Sequence, residues 1–297
     1  MGFSFRKQPF NPFPKKVNRS VLRLFFGKIY FQSRRYFVWF SERKLFAKKK
    51  VETSLIEKDF HFIIFKHSSP IYRKLKDVPM YLQENKKVNL SIAIKQLNGI
   101  LLEPNQVFSF WFLVGKPTKR KGYLPGMQLK NGGFVERTGG GLCQMANLIY
   151  WMSLHTPLTI KERWRHSFDI FPDTNRTLPF GSGATLSYNY IDLQIKNETK
   201  QPFILKLWID DTELNGEWRT DLEIPFKYSI YESNHTFHAE PWGGYTRRNT
   251  IRRKIISKIT NQIVKDHLVT ENIAWMMYEP LLSKNDSSFD NKNRNET

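Results

Sequence analysis

Cysteine occurs once in the 297 residues, as Cys143. A lone thiol excludes an intramolecular disulfide and suits a chain kept in a reducing compartment. Long apolar runs are missing too, since no stretch reaches the roughly 18 residues that mark a membrane-spanning helix. The N-terminus is basic, yet it has neither the apolar core of roughly 7–15 residues nor the small-residue cleavage site of a secretory signal. Together these absences predict a chain in the cytoplasm or peripheral at the inner face of the cell membrane. Acidic residues are scarce at one end. Residues 1–50 hold 14 Lys/Arg against Glu42 alone, so +13 of the formal net charge of +20 lies there and +7 in the rest.

That basic arm is also aromatic. Phe3, Phe5, Phe10 and Phe13 lie in an opening that predicts no fixed structure. Residues 20–46 predict an amphipathic helix with Arg23, Arg34, Arg35, Arg43 and Lys44 beside Trp39 and Phe40. Such a segment suits an anionic membrane surface, where each cation contributes about 1 kcal/mol and aromatic rings sit at headgroup depth. Nucleic acid is the weaker rival partner, and the plain alternative is an arm packed on its own domain.

The rest of the chain predicts an α+β fold, with a helix that carries the cysteine packed on a mostly antiparallel sheet. After a lead-in over residues 51–87 comes a core over 88–210. A β-rich extension follows over 211–282, and a polar tail over 283–297 predicts disorder. Residues 60–67 read as a strand. Asn89 reads as the cap of a helix whose apolar face is Leu90, Ala93, Ile94 and Leu97. Residues 107–114 are aromatic and β-branched and predict a strand. Further strands are expected at 158–162, 184–189, 192–197, 203–209, 214–219 and 226–231, with Asn215-Gly216 as a hairpin turn.

The stretch with chemistry in it is Arg137-Thr-Gly-Gly-Gly-Leu-Cys-Gln144. Gly139, Gly140 and Gly141 form a loop that feeds Cys143 into an apolar helix. Orphan N–H groups and the helix dipole at such an N-terminus favour thiolate, drawing the pKa below the usual value of about 8.5. The plain alternative is a small buried hydrophobe after a tight turn. A phosphate loop needs a Lys-Ser/Thr pair after its glycines, and Leu142-Cys143 stands there instead, so no nucleotide cofactor is expected.

A thiolate needs a base, and histidine is the usual one. His166, in Arg163-Trp-Arg-His-Ser-Phe-Asp169, lies 23 positions after Cys143 among cations. A strand returning along the helix would let the two meet, and the alternative is a histidine bonded to backbone. Asp169, Asp173 or Asn175 are candidates to orient it. Gln144 and the N–H groups of Gly141 and Cys143 are candidate oxyanion donors. His155 reads as a core histidine. His235 and His238 lack carboxylate or cysteine companions, so no metal is expected.

These residues, with Leu101-Leu-Glu-Pro-Asn-Gln-Val-Phe-Ser-Phe, Gly115, Gly122-Tyr123, Arg165-His-Ser167, Phe180-Gly-Ser-Gly-Ala-Thr185 and Asp192-Leu-Gln-Ile-Lys-Asn197, resemble the VanW family over about residues 88–210. The resemblance implies vancomycin resistance and a role around peptidoglycan. On that basis the expectation is a cysteine acyltransferase of L,D-transpeptidase type acting on stem peptides, with Cys143 as nucleophile and His166 as base. The alternative it implies is an accessory module that binds peptidoglycan precursors without turnover. Two positions depart from the family pattern. Gly183 stands where an acid is common, and Ala146-Asn147 where hydroxyl residues usually follow Cys-Gln.

Overall fold

The computed structural model describes residues 20–72, 78–130, 133–170, 177–241 and 243–279. The opening before residue 20, the tail after 282, and the candidates Asp173 and Asn175 lie outside the described residues.

In chain order the elements are α1 (Val21–Ser41), α2 (Thr53–Asp59), β1 (Phe62–Pro70), α3 (Met80–Leu97), β2 (Ile100–Leu102), β3 (Val107–Ser109) and α4 (Phe110–Val114). Then come β4 (Pro125–Lys130), β5 (Gly133–Thr138), α5 (Cys143–Leu154), β6 (Thr159–Glu162), β7 (Phe168–Asp169) and β8 (Gln194–Lys196). The chain closes with β9 (Phe203–Ile209), β10 (Glu213–Thr220), β11 (Phe226–Ala239), β12 (Tyr245–Ser257) and β13 (Ile263–Met276). The fold is α+β, with antiparallel pairing dominant.

One sheet runs β1-β10-β9-β2, all antiparallel. It joins β1 of the lead-in and β10 of the expected extension to β9 of the core. Against it lies α5, whose Met145, Ala146, Leu148, Ile149 and Met152 are buried at helical spacing. The close fit needs Gly216 on β10, where an added Cβ would stand 2.7 Å from the Met152 Cε. Polar atoms at this contact are satisfied, because the Trp218 indole donates to the Ser153 Oγ at 3.0 Å. A three-stranded sheet β3-β8-β6 and the hairpin β4-β5 complete the core, while β11-β12-β13-β7 forms the C-terminal sheet.

Several sequence expectations give way to tertiary contacts. Asn89 is no cap: α3 begins nine residues earlier, after Pro79, and Asn89 is buried within it. The run expected as a strand over 107–114 turns helical at Phe110, since the Ser109 Oγ accepts from the Phe112 N–H and the Asp192 carboxylate from the Trp111 N–H. Asn215-Gly216 lies inside β10, and the hairpin turn falls at Asp210, whose carboxylate accepts from the Thr212 and Glu213 N–H groups. Residues 184–189 form no ladder, because Asn147 accepts from the Ala184 N–H and the Trp164 carbonyl from the Thr185 N–H.

Candidate functional site

The glycine loop is held by its neighbours more than by its own turn. Gly139 and Gly141 have φ of 78° and 92°, the left-handed region that side chains resist. Gly140 and Gly126 of β4 approach so closely that a Cβ on Gly140 would stand 2.1 Å from the Gly126 carbonyl. Asn89 clamps this contact from α3. Its amide donates to the Gly140 carbonyl at 2.9 Å and the Leu124 carbonyl at 3.0 Å, while its oxygen accepts from the Leu124 N–H at 2.8 Å. Asn89 was legible in the sequence only as a helix cap, and nothing local pointed to the loop.

Cys143 is the first residue of α5, as the glycine loop predicts, and is half-buried. The electrostatic expectation fails. Burial pushes the thiol above its ordinary value, although the N–H groups of Leu186 and of Cys143 itself pull the other way. Desolvation of the anion outweighs those two hydrogen bonds here.

His166 is half-buried, and its pKa is lowered by burial and by the neighbouring Arg165 cation. No hydrogen bond joins it to Cys143, and it is absent from the lining of the cleft onto which Cys143 opens. Its flanking residues are drawn to the C-terminal sheet. The Arg165 guanidinium donates to the Ile273 carbonyl and lies 5.1 Å over the Phe180 ring. The Ser167 carbonyl accepts from the Trp275 N–H at 3.0 Å. Asp169 is buried, ion-paired to Arg247 at 3.2 Å, and accepts from the Tyr278 hydroxyl at 2.8 Å. These contacts make Arg165, Ser167 and Asp169 part of a structural joint. Gln144 is also committed: its amide donates to the Ser69 Oγ at 3.0 Å and the Pro70 carbonyl at 2.8 Å, at the end of β1.

The two departures from the family pattern meet in space. A Cβ on Gly183 would stand 2.7 Å from the Asn147 Oδ1. That oxygen accepts from the Ala184 N–H at 2.7 Å, and the Arg163 guanidinium donates to the Gly183 carbonyl at 2.8 Å. Asn147 fills the space a side chain at 183 would occupy.

What the loop lines is a cleft of about 550 Å³. Its walls are Gly139 to Cys143, Met127 and Gln128 of β4, Trp111, Lys116, Leu186 to Tyr188, Tyr190, and Arg23, Gly27, Lys28, Phe31 and Gln32 of α1. The N-terminal helix therefore closes the site. Arg35 anchors it through paired hydrogen bonds of 2.7 Å to the Glu162 carboxylate, and the Tyr36 and Tyr188 hydroxyls meet at 3.2 Å. Trp39 is buried against Phe112 and Tyr188. Behind this anchor, burial beside Glu162 raises the Asp192 carboxyl to about 6. Arg23, Lys28, Lys116 and Arg137 line the cleft, no carboxylate does, and none of the four is ion-paired among the described residues.

The sequence of this fold and cleft matches the family description "VanW like protein" over residues 85–219. It is 33% identical over 222 residues to the vancomycin B-type resistance protein VanW of Enterococcus faecalis, covering 75% of this chain and 80% of that protein. The chain belongs to the VanW family. It is also 29% identical over 121 residues to the uncharacterized protein YoaR of Bacillus subtilis, covering 40% of this chain and 37% of that one. No solved structure matches the chain. No helix among the described residues is long and apolar enough to cross a membrane.

Proposed function

We propose that this VanW-family chain binds an anionic peptidoglycan precursor in the cleft between α1 and the Gly139–Cys143 loop, as a resistance accessory module. The carrying observation is the cleft's single sign of charge: four cations and no carboxylate among its lining. Cations unpaired by protein carboxylates favour a phosphate- or carboxylate-bearing ligand. Trp111, Phe31, Tyr188 and Tyr190 add apolar wall for sugar or peptide. The test is calorimetric titration of the full chain with UDP-N-acetylmuramyl pentapeptide, ending in D-Ala–D-Ala or in D-Ala–D-lactate. Arg137→Ala and Lys116→Ala should each weaken binding about five- to ten-fold, the range of a charge-assisted hydrogen bond. Unchanged affinity in both variants would sink the reading.

A second reading, cysteine acyl transfer, is favoured by the place of Cys143 at the head of α5 on the cleft wall. In that chemistry the sulfur attacks a stem-peptide carbonyl, gives up its proton to a base, and releases the terminal residue. An acceptor amine then breaks the thioester. The raised thiol pKa and the commitment of the His166 segment elsewhere support binding over turnover. Muropeptide profiles of cells with Cys143→Ala should match those of the wild type. A profile matching the deletion strain would restore the catalytic reading.

A further inference from the structure

α1 presents two faces of different character. Its inner face anchors through Arg35 and Trp39 and walls the cleft. Its outer face carries Leu22, Phe26, Ile29, Tyr30, Phe37 and Phe40, exposed by 68, 63, 45, 61, 69 and 70%. At 100° per residue these positions fall on one side of the helix, with Ser33 the polar residue among them and Arg23 and Arg34 at its edge. An ordinary surface helix turns its apolar side inward, whereas here a second apolar side faces out.

We propose that α1 lies in the surface of an anionic phospholipid bilayer, with this outer stripe buried at the headgroup–acyl boundary. The inner face of the same helix then holds the cleft at headgroup level. Three observations select a bilayer over a second copy of the chain. The formal charge of +20 repels another copy and attracts anionic lipid. The stripe is mostly Phe and Tyr, rings that suit the membrane interface. The sequence ahead of α1, residues 1–19, adds five Lys/Arg and no acid. Docking stands on the α1 stripe and the charge around it. That the cleft then takes a precursor carried on a lipid rests on the function proposed above.

The test is co-sedimentation of the full chain with phosphatidylglycerol–phosphatidylcholine vesicles and with phosphatidylcholine vesicles. Wild type should bind the anionic vesicles and release them in high salt. Because these side chains are exposed and do not line the cleft, Phe26→Ser/Phe37→Ser/Phe40→Ser should keep the wild-type melting curve. It should also keep its affinity for the soluble UDP-linked pentapeptide. Its partition onto anionic vesicles should fall about ten-fold or more. A second probe is Phe37→Trp, whose emission should be quenched by phosphatidylglycerol brominated along its acyl chains. Equal sedimentation of the triple variant and wild type, equal binding to both vesicle types, or an unquenched tryptophan would overturn the proposal. So would a concentration-dependent dimer, seen by sedimentation velocity, that the triple substitution abolishes. Loss of pentapeptide binding with vesicle binding intact would instead strike only the cleft reading.

Discussion

At Gly140 and His155 single atoms decide what the chain tolerates. A Cβ on Gly140 would enter the Gly126 backbone, which has no free side-chain end to move aside. Gly140→Ala should therefore destabilise the fold by about 1–3 kcal/mol, the usual range for overpacking, as read by urea denaturation. His155 stacks on Phe65 with ring centres 3.8 Å apart, and its Nδ1 donates to the Tyr228 carbonyl at 3.0 Å. Burial first, then the nearby His67 and Arg253, lower its pKa to about 4. A depressed histidine binds fewer protons folded than unfolded between about 6.5 and 4, so its contribution to stability falls with pH across that window. Relative to His155→Gln, wild type should lose about 2–3 kcal/mol between pH 7 and pH 4. Denaturation midpoints at the two pH values check this, and a pH-independent difference would contradict the assignment.

Among the elements, α1 is the one whose attachment governs the site. Its hold on the core is concentrated between Phe31 and Trp39, with Arg35 and Glu162 only 15% and 17% exposed at their side chains. Removing one partner strands the other. Arg35→Ala should weaken the docking of α1 by about 2–4 kcal/mol. The readout is limited proteolysis, with cleavage within residues 21–41 accelerating while the core fragment persists. Cys143 labelling should accelerate in the same variant, since α1 walls the cleft. How much of this was legible varies by element. The mix of cations and aromatics over residues 20–46 marked α1, though the helix ends at Ser41, and Asn147 was visible as a departure from the family pattern. The partners of both were not, because Glu162, Tyr188 and Gly183 lie far along the chain. The 107–114 run shows the limit of local reading: β-propensity describes fit to a pleated surface, and the Asp192 carboxylate overrides it.

On the scale of the whole molecule, the C-terminal sheet is joined to the core through the short strand β7, which pairs in parallel with β13. The buried Arg247–Asp169 pair stands at this joint, its side chains 3% and 7% exposed. Arg247→Met should cost about 3–5 kcal/mol by breaking the buried pair, yet leave pentapeptide binding in the cleft unchanged. Combined denaturation and calorimetry distinguish this from a catalytic role for Asp169, which would lose function without comparable loss of stability.

By itself the sequence determined the α+β class, the α5 start at Cys143, the placement of β1, β6, β8, β9 and β10, the family, and the concentration of positive charge ahead of residue 50. Each follows from local periodicity, glycine chemistry or composition, which need no distant partner. Only tertiary structure decided that the basic helix walls the cysteine cleft and that Asn89 clamps the glycine loop. It likewise drew the His166 segment toward the C-terminal sheet and raised the thiol pKa. Those outcomes depend on desolvation and on contacts between residues tens of positions apart, and neither is written in the spacing of residues along the chain.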